Sequence, residues 1–131
     1  MSSPVKILIV DDEPDTVGLI ELTLTPAGFH VEHAYSGTEA LARIRADKFN
    51  LILLDVMMPE VSGFDVAREL KEDPTPPPPI IFLTARGRQQ DIRTGDDLGA
   101  AGYLVKPATR GQLLDAIQSA LYEGSEADAS G

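Results

Sequence analysis

The chain has 131 residues, 43% of them hydrophobic, which is enough for one compact domain with its own core and too few for two. A net charge of -10, from 21 acidic against 11 basic residues, argues against binding the phosphate backbone of nucleic acid, and the absence of cysteine excludes disulfides, thiolate metal sites and thiol nucleophiles. No apolar run is longer than a strand, and the opening MSSPVKILIV has no charged leader before a small-residue cleavage site, so a soluble, cytoplasmic protein with no membrane partner is expected.

Strand-like runs occur at residues 5–10 (β1), 30–34 (β2), 51–56 (β3), 80–84 (β4) and 102–105 (β5), and helix-like stretches alternate with them. This alternation predicts an α/β, doubly wound parallel sheet with five helices on its two faces, a three-layer αβα arrangement. β1, β3 and β4 are nearly continuous Val, Ile, Leu and Phe, as central parallel strands are, whereas HVEHA alternates and suits an edge. Pro14 fits the first turn of helix α1, where Val17, Ile20 and Leu24 share a face. Ser36 with Glu39 and Thr109 with Gln112 read as capping boxes, the second opening a last helix, α5, with Leu114, Ile117 and Leu121 on one face. Residues 73–79, DPTPPPP, read as a stiff extended connector into β4. The segment 86–99, where α4 is expected, has only Ile92 and Leu98 as strong apolar anchors and is weakened by Gly87 and Gly95. It is either a poor surface helix or the element that moves in a switch. One domain is expected over 1–122, followed by a disordered acidic tail over 123–131.

The polar residues that end the strands carry the chemistry. Asp11 and Asp12 follow β1, Asp55 ends the apolar run of β3, Thr84 ends β4 and Lys106 follows β5. Parallel strands deliver all five to one edge of the sheet, where ligands bind in open α/β folds. Taken singly, each has an ordinary explanation as a cap, a turn former or a surface residue. Together, three carboxylates at roughly 4 Å would repel by about 4 kcal/mol per pair at an effective dielectric near 20. A hard, oxygen-preferring divalent ion, Mg²⁺, relieves this, and with two histidines and no cysteine a softer metal is disfavoured. His30 and His33, three apart on a strand, face opposite sides and make a poor chelating pair. A central carboxylate can attack phosphorus to form an aspartyl phosphate, with Lys106 neutralising charge and Thr84 donating a hydrogen bond. Asp55 is that nucleophile, leaving Asp11 and Asp12 for the metal.

ILIVDDEP (7–14), LILLDVMMPEVSGFDV (51–66), IIFLTA (80–85) and GYLVKP (102–107), in this order, resemble the receiver domain of bacterial two-component response regulators over nearly the whole chain. The resemblance implies a flavodoxin-like five-stranded sheet of order 2-1-3-4-5. It implies that Asp55 accepts a phosphoryl group from a sensor histidine kinase or histidine phosphotransfer protein. Asp12 would bind Mg²⁺ directly and Asp11 mainly through water, with the Met57 carbonyl as a further ligand. Lys106 would contact the phosphoryl group, Thr84 would shift toward it, and Tyr103 would rotate inward as the coupled switch. The Lys106-Pro107 bond would be cis, and Met57 and Arg86 would occupy positions that tune phosphoryl lifetime. The implied output is the α4-β5-α5 face, offered to an unknown downstream protein, in a monomer or a phosphorylation-dependent dimer. Such a protein is not an enzyme beyond catalysing its own phosphorylation and dephosphorylation.

Two departures from the family pattern stand in the sequence: Ala108, where a bulky aromatic is common, and GAAGY (99–103), which lacks the usual acidic pair. Neither touches the chemistry. A Mg²⁺-dependent phosphohydrolase is a second reading, but it calls for a further acid or base beside the nucleophile, such as an Asp at the place of Met57. A receiver-like adaptor that is never phosphorylated is a third, and it leaves the complete set of five site residues unexplained.

Overall fold

The computed structural model describes residues 4–85 and 87–130, without the side chains of 123–130. Five strands, β1 (Lys6–Val10), β2 (His30–Ala34), β3 (Leu51–Asp55), β4 (Ile80–Thr84) and β5 (Gly102–Val105), form one sheet in the order β2-β1-β3-β4-β5. Every neighbouring pair is parallel. Between and after the strands run α1 (Pro14–Leu24), α2 (Gly37–Ala46), α3 (Gly63–Glu72), α4 (Gln89–Asp97) and α5 (Arg110–Ser130). The sheet is doubly wound and flavodoxin-like, as expected, with HVEHA at one edge and β5 at the other.

The period of a strand divides the core in two. Leu8 and Val10, Ile52 and Leu54, and Ile80 and Phe82 face one side, where they meet Leu41, Val66 and Leu70 of α2 and α3. Ile7 and Ile9, Leu51 and Leu53, and Ile81 and Leu83 face the other, against Val17, Ile20 and Leu24 of α1 and Leu113 and Ile117 of α5. The three central strands are buried on both faces, which is why their sequences are apolar without alternation.

Local signals resolve unevenly. Pro14 opens α1 as expected. The Thr109–Gln112 box forms on both sides, with Thr109 N–H donating to Gln112 Oε1 at 2.9 Å and Gln112 N–H to Thr109 Oγ1 at 3.1 Å. Only half of the Ser36–Glu39 box forms: Ser36 Oγ accepts from Glu39 N–H at 3.1 Å, while the Glu39 side chain stays in solvent. A reciprocal box stands instead at α3, between Ser62 and Asp65. In α5 the buried stripe is Leu113, Ile117 and Ala120, so the expected Leu114 and Leu121 flank the stripe that Ile117 centres. The expectation of a disordered tail over 123–131 falls outside the described side chains, and Arg86 is likewise outside the described residues.

Candidate functional site

The register of the sheet builds the site. Val10 pairs with Leu54 and Asp55 with Leu83, so the residues one step further on, Asp11 beside Asp55 and Thr84 beyond it, stand at the same edge. Asp11 N–H still bonds to Ala34 O at 3.2 Å and Lys106 N–H to Thr84 O at 2.7 Å, so both residues remain tied to the sheet as the chain leaves it. Asp11 is fully buried, Asp55 is 2% exposed and Thr84 1% exposed, and these are the buried polar side chains among the described residues.

Asp11, Asp12 and Asp55 bring one oxygen each within 4.8 Å of one another. Lys106 Nζ lies 2.6 Å from Asp11 Oδ2 and 3.1 Å from Asp55 Oδ1. The ammonium therefore bridges two of the three acids. Asp11 Oδ1 accepts from Glu13 N–H at 3.0 Å, so both of its oxygens are engaged. Asp12 is the solvent-facing member. The donor set is all oxygen and strongly anionic, which suits a hard divalent cation such as Mg²⁺ and no soft metal. His30 and His33 stay out of it: they pair with Glu32 and Glu21 at 3.2 and 2.8 Å on the β2 edge.

Burial, and then the neighbouring charge of Asp11, push the Asp55 carboxyl up to about 6, against the opposing pull of Lys106. Burial lowers Lys106, but its bond to Asp11 and its attraction to both acids outweigh this and hold the ammonium above its ordinary range. The charge of Asp55 is thus only partly compensated by Lys106.

The backbone beside Asp55 is tightly constrained. Val56 N–H donates to Leu83 O at 2.8 Å, and Gly63 N–H to Val56 O at 3.0 Å. A Cβ on Gly63 would stand 2.2 Å from the Asp55 carbonyl oxygen, so only glycine lets α3 begin there. Sequence reading missed this role, since nothing local marks Gly63 as a contact of Asp55.

Tyr103 lies on β5 opposite Phe82, its ring 6.4 Å from the Phe82 ring. Its hydroxyl is buried and makes no hydrogen bond of normal geometry. Burial raises it above its ordinary range, tempered by the nearby Thr84 side chain. Met57, by contrast, projects its side chain into solvent, 70% exposed. The Lys106-Pro107 bond is cis, as the motif implied.

The response regulator receiver domain family model matches residues 7–118. The transcriptional regulatory protein CpxR of Klebsiella pneumoniae is 42% identical over 116 residues, 88% of this chain and 49% of that protein. The transcriptional regulatory protein TrcR of Mycobacterium tuberculosis is 35% identical over 94% of this chain and 48% of its own length. The chain spans about half the length of these curated relatives. Among solved structures, the chemotaxis response regulator CheY4 of Vibrio cholerae superposes with a TM-score of 0.82 at 34% identity, covering 91% of this chain and all of that one. A CheY-like receiver domain protein from Methanospirillum hungatei gives 0.86 at 30% identity, covering 95% and 98%.

Proposed function

Because the chain belongs to the response regulator receiver domain family of two-component systems, we propose that it is a phosphorylation-dependent switch whose acceptor is Asp55. A phosphohistidine on a sensor histidine kinase or histidine phosphotransfer protein is the donor. An Asp55 carboxylate oxygen forms a bond to phosphorus as the phosphorus–nitrogen bond breaks, and the electron pair leaves with the imidazole. Lys106, already bridging toward Asp55, follows the developing charge on the phosphoryl oxygens, and the Thr84 hydroxyl donates to one of them. Asp12, Asp55 and the Met57 carbonyl would hold Mg²⁺, with Asp11 mainly through water, and the ion would supply neutralisation of that charge.

The observation that carries this reading is the pair of contacts at Lys106, 2.6 Å from Asp11 and 3.1 Å from Asp55. One ammonium among three acids leaves a net deficit of positive charge, a site that accepts a metal and an anionic group together. The engaged oxygens of Asp11 support its indirect role. The chemistry stops at the chain's own phosphorylation and dephosphorylation.

Phosphorylation replaces one negative charge with roughly -1.5 to -2 and adds acceptor oxygens. Thr84 moves toward them, the inward Tyr103 is held beside it, and α4, β5 and α5 present an altered face to a downstream protein or a second copy. The test is intact mass after incubation with a small-molecule phosphodonor, with and without Mg²⁺. One labile adduct that requires Mg²⁺ and is lost in Asp55→Asn is expected. Continuous hydrolysis of unrelated phosphate esters would favour a phosphohydrolase, and no adduct from any donor an adaptor. Unchanged amide exchange over 84–105 on phosphorylation would sink the switching face.

A further inference from the structure

Gly37 opens α2 directly after its cap, Ser36, and its backbone is not in the left-handed region that favours glycine. The loop across from it supplies the reason. A Cβ on Gly37 would stand 2.7 Å from Val61 Cγ1, 2.9 Å from Val61 Cβ and 2.8 Å from the Val61 carbonyl oxygen. Carbon atoms pack best at about 3.5–4.0 Å, and a backbone oxygen cannot swing aside as the end of a long side chain can. Val61 therefore rests on bare backbone of α2.

The loop over residues 57–61 has little slack. Val56, before it, donates to Leu83 O at 2.8 Å, and Gly63, after it, donates back to Val56 O at 3.0 Å. Within the loop Met58 is buried, Pro59 fixes its own φ, and Val61 N–H donates to Pro59 O at 2.7 Å around Glu60, whose φ is 67°. Glu60 is the one non-glycine residue with positive φ among the described residues. A three-residue turn of this hand is strained and persists only where its surroundings hold it. The seat of Val61 on Gly37 is such a support. An alanine at 37 moves the loop rather than the helix, because α2 is held by its cap and by buried Ala40 and Leu41, whereas Met57, Pro59 and Glu60 are exposed.

We propose that Gly37 is a positioning residue for the metal: by letting Val61 seat against α2 it holds the Glu60 turn, and with it the setting of the Met57 carbonyl as a ligand. The proposal rests on the reading of that carbonyl as part of the Mg²⁺ site.

The sequence supplies a selective probe. Of the three methionines only Met57 and Met58 are adjacent. The full chain, labelled with methionine carrying carbonyl ¹³C and amide ¹⁵N, therefore gives one directly bonded ¹³C–¹⁵N signal, from the Met57–Met58 peptide. This signal is followed as Mg²⁺ is added to the unphosphorylated protein. It should move and saturate in the wild type, and in Gly37→Ala the half-saturating concentration should rise about tenfold. Gly18→Ala, at a helical glycine whose Cβ would meet nothing within 4 Å, should keep the wild-type value. Val61→Ala, which shortens the seated side chain, should raise it several-fold and serves as the deciding variant if Gly37→Ala does not fold. A wild-type half-point in Gly37→Ala, or in Val61→Ala where only that variant folds, would overturn the proposal. Failure of the underlying reading looks different and removes the proposal with it: the Met57 signal of the wild type would not respond to Mg²⁺ at all.

Discussion

Helices α3 and α4 each follow a central strand of the same sheet, yet they are held in opposite ways. α3 begins under a reciprocal Ser62–Asp65 cap, abuts the Asp55 carbonyl through Gly63 and buries Val66, Ala67 and Leu70. α4 begins uncapped and buries a glycine. The helix that touches Asp55 is fixed by packing, cap and a glycine contact that tolerates no Cβ, while the helix over Tyr103 rests on little apolar area. Low local stability is what permits local motion, so of the two helices α4 is the one freer to move.

The comparison can be broken most forcefully at Gly63. Gly63→Ala sets a methyl carbon 2.2 Å from a carbonyl oxygen, and a loss of about 3 kcal/mol or more is expected in urea unfolding. Ile92→Ala in α4, where the side chain is 37% exposed, should cost less than about 1 kcal/mol in the same assay. Equal costs would erase the distinction.

Asp55, beside α3, gives the next effect. Its carboxyl stands at about 6 in the folded chain against an ordinary 3.8, so between these values the folded state binds more protons than the unfolded one. Stability therefore falls as pH rises through this window, and the full penalty is present above it. Without metal, Asp55→Asn is expected to stabilise the protein by about 1–3 kcal/mol at neutral pH and by little near pH 4, measured by denaturant titration in chelator. Phosphorylation at low Mg²⁺ should lose rate as pH drops below about 6, and added Mg²⁺ should move that inflection lower, because a bound cation favours the carboxylate.

Capping provides the finest adjustment. Ser62→Ala removes an acceptor for Asp65 N–H and should cost about 1 kcal/mol. Arg88→Ser, which offers α4 the cap it lacks, should gain about 0.5 kcal/mol and slow amide exchange through α4. If exchange there were already as slow as in α3, the contrast would be lost.

The sheet was legible because its determinants are local: Leu51–Leu54 and Ile80–Leu83 are buried on both faces and read as unbroken apolar runs. The convergence of Asp11, Asp12, Asp55, Thr84 and Lys106 followed from strand direction alone. What stayed hidden depends on contacts between distant residues. Nothing near Lys106 in the sequence says that its shorter bond goes to Asp11 rather than to Asp55. Gly95 reads as a weak point of a helix until Phe82 and Tyr103 lie beneath it. The Ser62–Asp65 cap escaped notice because Asp, shorter than the usual Glu or Gln, does the reaching back. Glu39 had the expected spacing, but its side chain remains in solvent.

The Lys106–Asp11 bond joins residues 95 apart in the chain. Synthesis runs from Asp11 toward Lys106, so a nascent chain that has laid down β1, β3 and β4 holds three clustered acids and no ammonium to receive them. Their mutual repulsion opposes closing that edge until β5 is added and Lys106 reaches across to β1. The acidic edge is thus complete only once the whole sheet has assembled.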